Sequence, residues 1–235
     1  MLISSVIKTV KHILRTMTIH PIAHIENKFT DLFGIPRQSG LTDSVVSKIV
    51  FEKEYSDINA FREIEGFSHL WLIWEFSLSD KKEWTPTVRP PKLGGNKKVG
   101  VFASRSPYRP NSLGLSAVKL VKADFSDSKA VLYVSGADLA DGTPIYDVKP
   151  YIPYSDSHPD AKPGFSVGPD KTACEVVFSD GVVIDDATKN ELNEILRLDP
   201  RPGYKNDGCV YKMSYGDKTV SFSFSENVIN VLSIC

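Results

Sequence analysis

The chain has 235 residues, of which 41% are hydrophobic and 24% charged, and a formal net charge of −1. This is enough for one globular domain of ordinary size plus an accessory unit, and it excludes a polycation, so any nucleic-acid site must be a local patch. Cys174, Cys209 and Cys235 are few, odd in number and far apart, which excludes a disulfide scaffold and fits a reducing, cytoplasmic compartment.

Residues 1–16 carry Lys8, Lys11 and Arg15 and no acid. They read as an N-terminal extension before an internal start at Met17, with a transit peptide or membrane-surface helix as the other reading. No apolar run is long enough to span a bilayer, so no membrane partner is expected.

From residue 18 the chain reads as β structure. Strands are expected over 19–25 and 45–51, then a short helix over 57–64 capped by Asp57. The run 70–76, LWLIWEF, is almost wholly apolar. It suits a strand buried on both faces or packed against a partner subunit. Further strands are expected over 99–104, 114–121, 130–135 and 143–148. Short strands separated by Gly and Pro turns point to a barrel or sandwich. Residues 151–170 are rich in Pro, Ser, Asp and Gly and read as a linker or an ordered long loop. A smaller unit follows: a strand over 172–178, a helix over 186–198 with Leu192, Ile195, Leu196 and Leu198 as its apolar positions, and strands over 210–215, 219–224 and 228–234. Gly216-Asp217 makes a hairpin turn.

Between Trp84 and Ala123 there is no Asp or Glu, while Arg89, Lys92, Lys97, Lys98, Arg105, Arg109, Lys119 and Lys122 all fall inside. Such an interval either binds phosphates and carboxylates or is a solvated basic face balanced by acids elsewhere. Leu93-Gly94-Gly95-Asn96 lacks the spacing of a dinucleotide loop, and no phosphate-binding loop occurs, which argues against a Rossmann-type enzyme. His20 and His24 on one strand would lie roughly 13 Å apart, too far to share a metal, and no metal is expected. No serine-hydrolase elbow is present; His69 reads as a structural histidine or a ligand contact. Asp141-Gly142 is a turn signal within a polar cluster of Asp138, Asp141, Asp147, Lys149 and Tyr151.

Five separate stretches point one way: Ile35-Pro36-Arg37-Gln38-Ser39-Gly40, Gly66-Phe67-Ser68-His69-Leu70-Trp71, 86–95 (PTVRPPKLGG), 101–114 (VFASRSPYRPNSLG) and 139–151 (LADGTPIYDVKPY). Together they resemble the TsaA-like (TrmO) family, whose members methylate N6 of threonylcarbamoyladenosine beside the tRNA anticodon. A weaker stretch, Asp199-Pro200-Arg201-Pro202-Gly203-Tyr204, looks like that family's C-terminal domain. The leader before Met17 departs from the family's usual start. The resemblance implies a mainly β protein: an antiparallel β-barrel catalytic domain over 17–155 and a small α+β C-terminal domain over 171–235. It also implies S-adenosylmethionine as methyl donor, tRNA as partner and a homodimer. Family cofactor contacts carry over to Pro36, Arg37, Gln38, Ser68, His69, Arg105, Leu115, Asp141, Gly142, Thr143 and Pro144. Expected substrate or RNA contacts are Arg89, Lys92, Lys97, Lys98, Arg109, Asn111 and Lys149.

The chemistry can be reasoned on its own. A carbonyl attached to N6 withdraws the nitrogen lone pair but acidifies the N–H, so a proton must be removed while N6 is held in line with the methyl group. No strong base is evident. Asp138 or Asp141 is a candidate, as is the substrate's own threonyl carboxylate, and Arg109 and Tyr151 join Asp138 as candidate catalytic residues. The threonyl carboxylate needs a cation, for which Arg105 or Arg109 is a bidentate partner. The competing readings are a basic barrel that binds RNA without chemistry, and a methyltransferase of the same fold acting on another substrate.

Overall fold

The computed structural model describes residues 17–79, 83–90, 93–166, 174–201 and 208–235. The N-terminal extension and Lys92 lie outside the described residues.

Six strands close into an antiparallel barrel in the order β1-β2-β7-β6-β3-β8. They are β1 (Ala23–Glu26), β2 (Val46–Phe51), β3 (His69–Glu75), β6 (Leu113–Asp124), β7 (Val131–Ser135) and β8 (Pro144–Pro150). Closure leaves no free edge. Alternation decides which side chains fill the interior: Leu70, Leu72 and Trp74 of β3 point inward with Ile25, Ile49, Val118, Leu132, Val134 and Ile145. The other face of β3 carries His69, Trp71, Ile73 and Glu75, so the apolar run 70–76 is one strand with a buried face and an apolar outer face.

A two-stranded hairpin, β4 (Thr87–Val88) and β5 (Val99–Gly100), projects from the β3–β6 connection. The strand expected over 99–104 therefore ends early, and Val101–Ala103 winds into a 3-10 turn. The helix expected over 57–64 is instead two short 3-10 turns. Asp57 does cap the first, accepting from the Asn59 amide at 2.9 Å. Arg62 is extended and Glu63 left-handed (φ 65°), which stops propagation. The first strand begins only at Ala23; Pro21 just before it has no N–H to give a ladder. Within the expected linker, residues Pro153–Asp156 form a short helix, α1, whose Asp156 accepts from Trp71 Nε1 at 3.0 Å.

The C-terminal unit is a four-stranded sheet ordered β10-β11-β12-β9, with β9 (Glu175–Phe178), β10 (Val210–Tyr215), β11 (Lys218–Ser225) and β12 (Val228–Ile234). Helix α2 (Asp186–Arg197) packs Leu192, Ile195 and Leu196 on it, and Asp185 caps it by accepting from the Thr188 amide at 2.9 Å. Its core also takes in Phe29 and Val45, with Phe33 and Ile35 packed alongside, all from the β1–β2 connection of the barrel.

Candidate active site

The main cleft, about 570 Å³, opens where three connections meet the barrel: residues 32–38, 76–79 and 104–109. Its volume suits a cofactor-sized molecule. Its walls mix apolar groups (Trp71, Phe76, Leu113, Leu115) with Gln38, Glu75, Arg105, Arg109 and Asp138.

The 101–109 connection is shaped by its own side chains. Ser104 Oγ donates to the Val101 carbonyl at 2.8 Å and accepts from the Ser106 amide at 3.3 Å; Ser106 Oγ accepts from the Tyr108 amide at 3.3 Å. These are the serine turns that a Ser-Arg-Ser-Pro run favours. Arg109 staples the bend: its Nη1 donates to the carbonyls of Ser104 (2.8 Å) and Val101 (3.2 Å). The same guanidinium lies 5.6 Å from the ring centroid of Phe102, which is 71% exposed. The bend brings Arg105 across the cleft, where its Nη1 donates to Gln38 Oε1.

Asp138 lies at the cleft floor. Trp74 Nε1 donates to Ser116 Oγ at 2.9 Å, and Ser116 Oγ donates to Asp138 Oδ1 at 2.5 Å. Burial pushes the Asp138 carboxyl above its ordinary value, and the Ser116 hydrogen bond, the nearby backbone and the Arg105 charge only partly oppose this. Gly114 is required here: a Cβ would sit 2.3 Å from the Trp74 ring. On the rim, Tyr146 OH donates to Glu75, which raises the phenol to about 12.

Of the expected cofactor contacts, Pro36, Arg37, Gln38, Arg105, Leu115 and Thr143 line this cleft, with Asp138 and Arg109 of the expected chemical residues. Asp141, Gly142 and Pro144 flank Thr143 but do not line it. Asp141 is a tether: its Oδ1 accepts from the Asn27 amide at 2.8 Å, pinning the β7–β8 turn to the end of β1. Ser68 and His69 lie at the far end of β3, about 20 Å along the strand from Glu75. There Ser68 Oγ and His69 Nδ1 are 2.9 Å apart, and the His69 ring faces Tyr151 at 6.2 Å. Lys149 pairs with Asp147 at 3.7 Å, and Asn111 is exposed before β6.

The acid-free interval does not fold into one surface. Arg89, Lys97 and Lys98 are exposed on the β4–β5 hairpin, and Arg105 and Arg109 edge the cleft. Lys119 lies across from His69, and Lys122 sits 4.2 Å from the Tyr133 ring centroid. Sequence reasoning missed Trp71, Glu75, Trp74 and Ser116. A signal for Ser116 was its place at an inward position of a strand, where a polar residue needs a partner.

A cleft lined by backbone-rich loops on a closed barrel defines a small-molecule site unlike a Rossmann crevice. Residues 24–157 match the family model of the tRNA-methyltransferase O N-terminal domain. The chain belongs to the TrmO family. It is 36% identical over 224 residues to a tRNA (adenine(37)-N6)-methyltransferase of Escherichia coli (strain K12), covering 91% of this chain and 95% of that protein. It is 41% identical over 167 residues to a tRNA (adenine(37)-N6)-methyltransferase of Eikenella corrodens, covering 69% of this chain and 94% of that protein. A crystal structure of TrmO superposes with a TM-score of 0.78 at 28% identity, over 94% of this chain and all of that one.

Proposed function

We propose that this protein transfers a methyl group from S-adenosylmethionine to N6 of threonylcarbamoyladenosine beside the tRNA anticodon. The observation that carries the reading is the convergence of Pro36, Gln38, Arg105, Leu115 and Thr143 around the shielded Asp138 carboxyl in one cofactor-sized cleft. S-adenosylmethionine is a cation with a flat base and a charged amino-acid end. The cleft offers aromatic and aliphatic walls for the base, and Asp138 and Glu75 to offset the sulfonium charge. When bound, the cofactor supplies an electrophilic methyl group.

The chain's own residues do the rest. Gln38 and Arg105, joined across the cleft, form one fixed polar wall against which a ligand is oriented. Arg109, its Nη1 holding the 101–105 bend, presents the rest of its guanidinium at the rim, where a threonyl carboxylate gains a planar partner. Asp138 is placed to take the N6 proton, and Ser116 and Trp74 hold its carboxyl in orientation. Arg89, Lys97 and Lys98 supply phosphate contacts from the hairpin, and the exposed Phe102 ring offers a stacking face to a loop base.

The protein acts as a homodimer in the cytoplasm. The outer face of β3 and β6 supports the dimer: Trp71, Ile73 and Leu115 form an apolar stripe there, with Leu115 57% exposed. A two-fold axis crossing β3 near its middle brings the Ser68–His69 end of one copy toward the Glu75 end of the other. This gives Ser68 and His69 a route to the cofactor despite their distance within one chain.

The test uses labelled S-adenosylmethionine and two tRNA preparations, with and without the threonylcarbamoyl group. Only the modified tRNA should gain label. Plain adenosine offers no carboxylate to the free donors of Arg109 at the rim and lacks the carbonyl that acidifies N6, which lowers its rate by about a factor of ten or more. Equal incorporation would overturn the substrate assignment.

A further inference from the structure

The loop that brings Pro36, Arg37 and Gln38 to the cleft belongs to two cores at once. Before it, Phe29 is buried in the C-terminal core, and the Phe33 ring stacks on Phe222 (6.2 Å, 5°) and Tyr211 (6.4 Å, 27°). Gly34, at φ 102°, passes so close to Met213 that a Cβ would lie 2.1 Å from its sulfur. Arg37 Nη2 donates to the Arg201 carbonyl at 2.8 Å and to that of Asp199 at 3.4 Å. That carbonyl pair is itself held: Arg201 is fully buried and its guanidinium is gripped by both Asp199 carboxylate oxygens, at 2.7 and 3.0 Å. After the loop, the Ser44 amide donates to Glu194 of α2 at 2.9 Å, and Val45 is buried in the same core. On the barrel side the Gly40 amide donates to the Gly136 carbonyl at 2.8 Å.

We infer that the C-terminal domain is the positioning element of the cofactor loop: it sets the affinity for S-adenosylmethionine by fixing Pro36–Gln38 through the Phe33 stack and the Arg37 latch. The inference rests on the proposed cofactor reading. Two physical points support it. Residues 29–45 run outside the barrel ladder, so their own hydrogen bonds do not specify one shape. A loop that must be ordered on binding costs conformational entropy, and a loop already packed in a core does not. Arg37 thus acts on the cofactor through the backbone it holds, and its Nη2 is engaged with carbonyls of the other domain. Asp199 and Arg201 are positioning residues, not catalytic ones.

Coupling of this kind is reciprocal. If the C-terminal core orders the loop, an ordered cofactor must in turn slow opening of that core. The experiment measures amide hydrogen exchange of the full chain with and without S-adenosylmethionine, and calorimetric affinity in the Tyr211→Leu and Phe33→Leu variants. The expected result is slower exchange in β10 and β11 when S-adenosylmethionine is present, although neither strand lines the cleft. In each variant, affinity for S-adenosylmethionine should fall about five- to tenfold while tRNA affinity stays within about twofold. The double variant should be no weaker than the worse single one, because both changes remove the same stack. Unchanged exchange in β10 and β11, together with wild-type affinity in the folded variants, would overturn the inference. Should either variant fail to fold, the exchange measurement on the unaltered chain still decides. Failure of the unaltered chain to bind S-adenosylmethionine would instead overturn the cofactor reading.

Discussion

At Asp138 a half-buried carboxyl at the cleft floor has one hydroxyl donor as its main compensation. Its folded-state value lies above the ordinary 3.8. Between the two values the native state binds more protons than the unfolded chain, so stability falls as pH rises through that window and is level above it. Asp138→Asn should therefore remove this decline, visible as a flatter dependence of melting temperature on pH from about 3.8 upward. If Asp138 accepts the N6 proton, turnover needs it ionised. The acid limb of kcat should then lie above 3.8, and Asp138→Asn should lower kcat by about 10²-fold or more. A variant that retains full turnover would return the base to the substrate's own carboxylate. At Arg109 the expectation concerns shape, not charge. Arg109→Lys keeps the cation but loses the planar fork and the staple to Val101 and Ser104. It should impair turnover on threonylcarbamoyl tRNA by about tenfold or more, read as kcat/KM.

Among the elements, the β4–β5 hairpin and the start of β6 divide the work. The hairpin carries exposed Arg89, Lys97 and Lys98 away from the barrel wall. Lys97→Ala with Lys98→Ala should weaken tRNA binding and flatten its salt dependence, by about 0.9 in log–log slope per lost phosphate contact at most. S-adenosylmethionine affinity should be unaffected, since neither residue lines the cleft. An unchanged slope would move the RNA face elsewhere. The start of β6 is constrained by packing instead. Gly114→Ala drives a methyl into the Trp74 ring, and Trp74 in turn holds Ser116 against Asp138. The expected cost is about 1–3 kcal/mol in thermal or denaturant unfolding, with kcat lowered because the carboxyl loses its orientation. Unfolding and turnover both at the wild-type level would show that Trp74 moves aside freely.

For the whole molecule, the proposed dimer contact on the outer face of β3 and β6 carries the prediction. A charge placed in the apolar stripe, as in Ile73→Asp, should turn a dimer into monomers in sedimentation velocity, because an unpaired carboxylate cannot be buried at an isologous contact. Monomers should also lose S-adenosylmethionine affinity if Ser68 and His69 act across the two-fold. A variant that stays dimeric would place the interface on another surface.

What the sequence alone determined is what short range decides. Alternation placed β2, a continuous apolar run placed β3, short runs between Gly and Pro turns placed β6, β7 and β8, and the apolar spacing of Leu192, Ile195 and Leu196 placed α2, because these signals live within one element. The family stretches identified the loops that meet at the cleft, and six of the eleven cofactor positions they implied do line it. The tertiary structure decided the rest. Asp141 reads as a turn residue or a cofactor contact; it became a tether only because the fold places Asn27, 114 residues away, beside it. The acid-free interval is continuous in the chain yet its cations are split over a hairpin, a cleft edge and the second half of one strand. Ser116 and Asp138 meet over 22 residues, and Arg37 meets Arg201 over 164. No local period or spacing encodes such pairs. They exist because barrel closure and the packing of a second core bring distant segments together, and each contact's strength depends on the burial that closure creates.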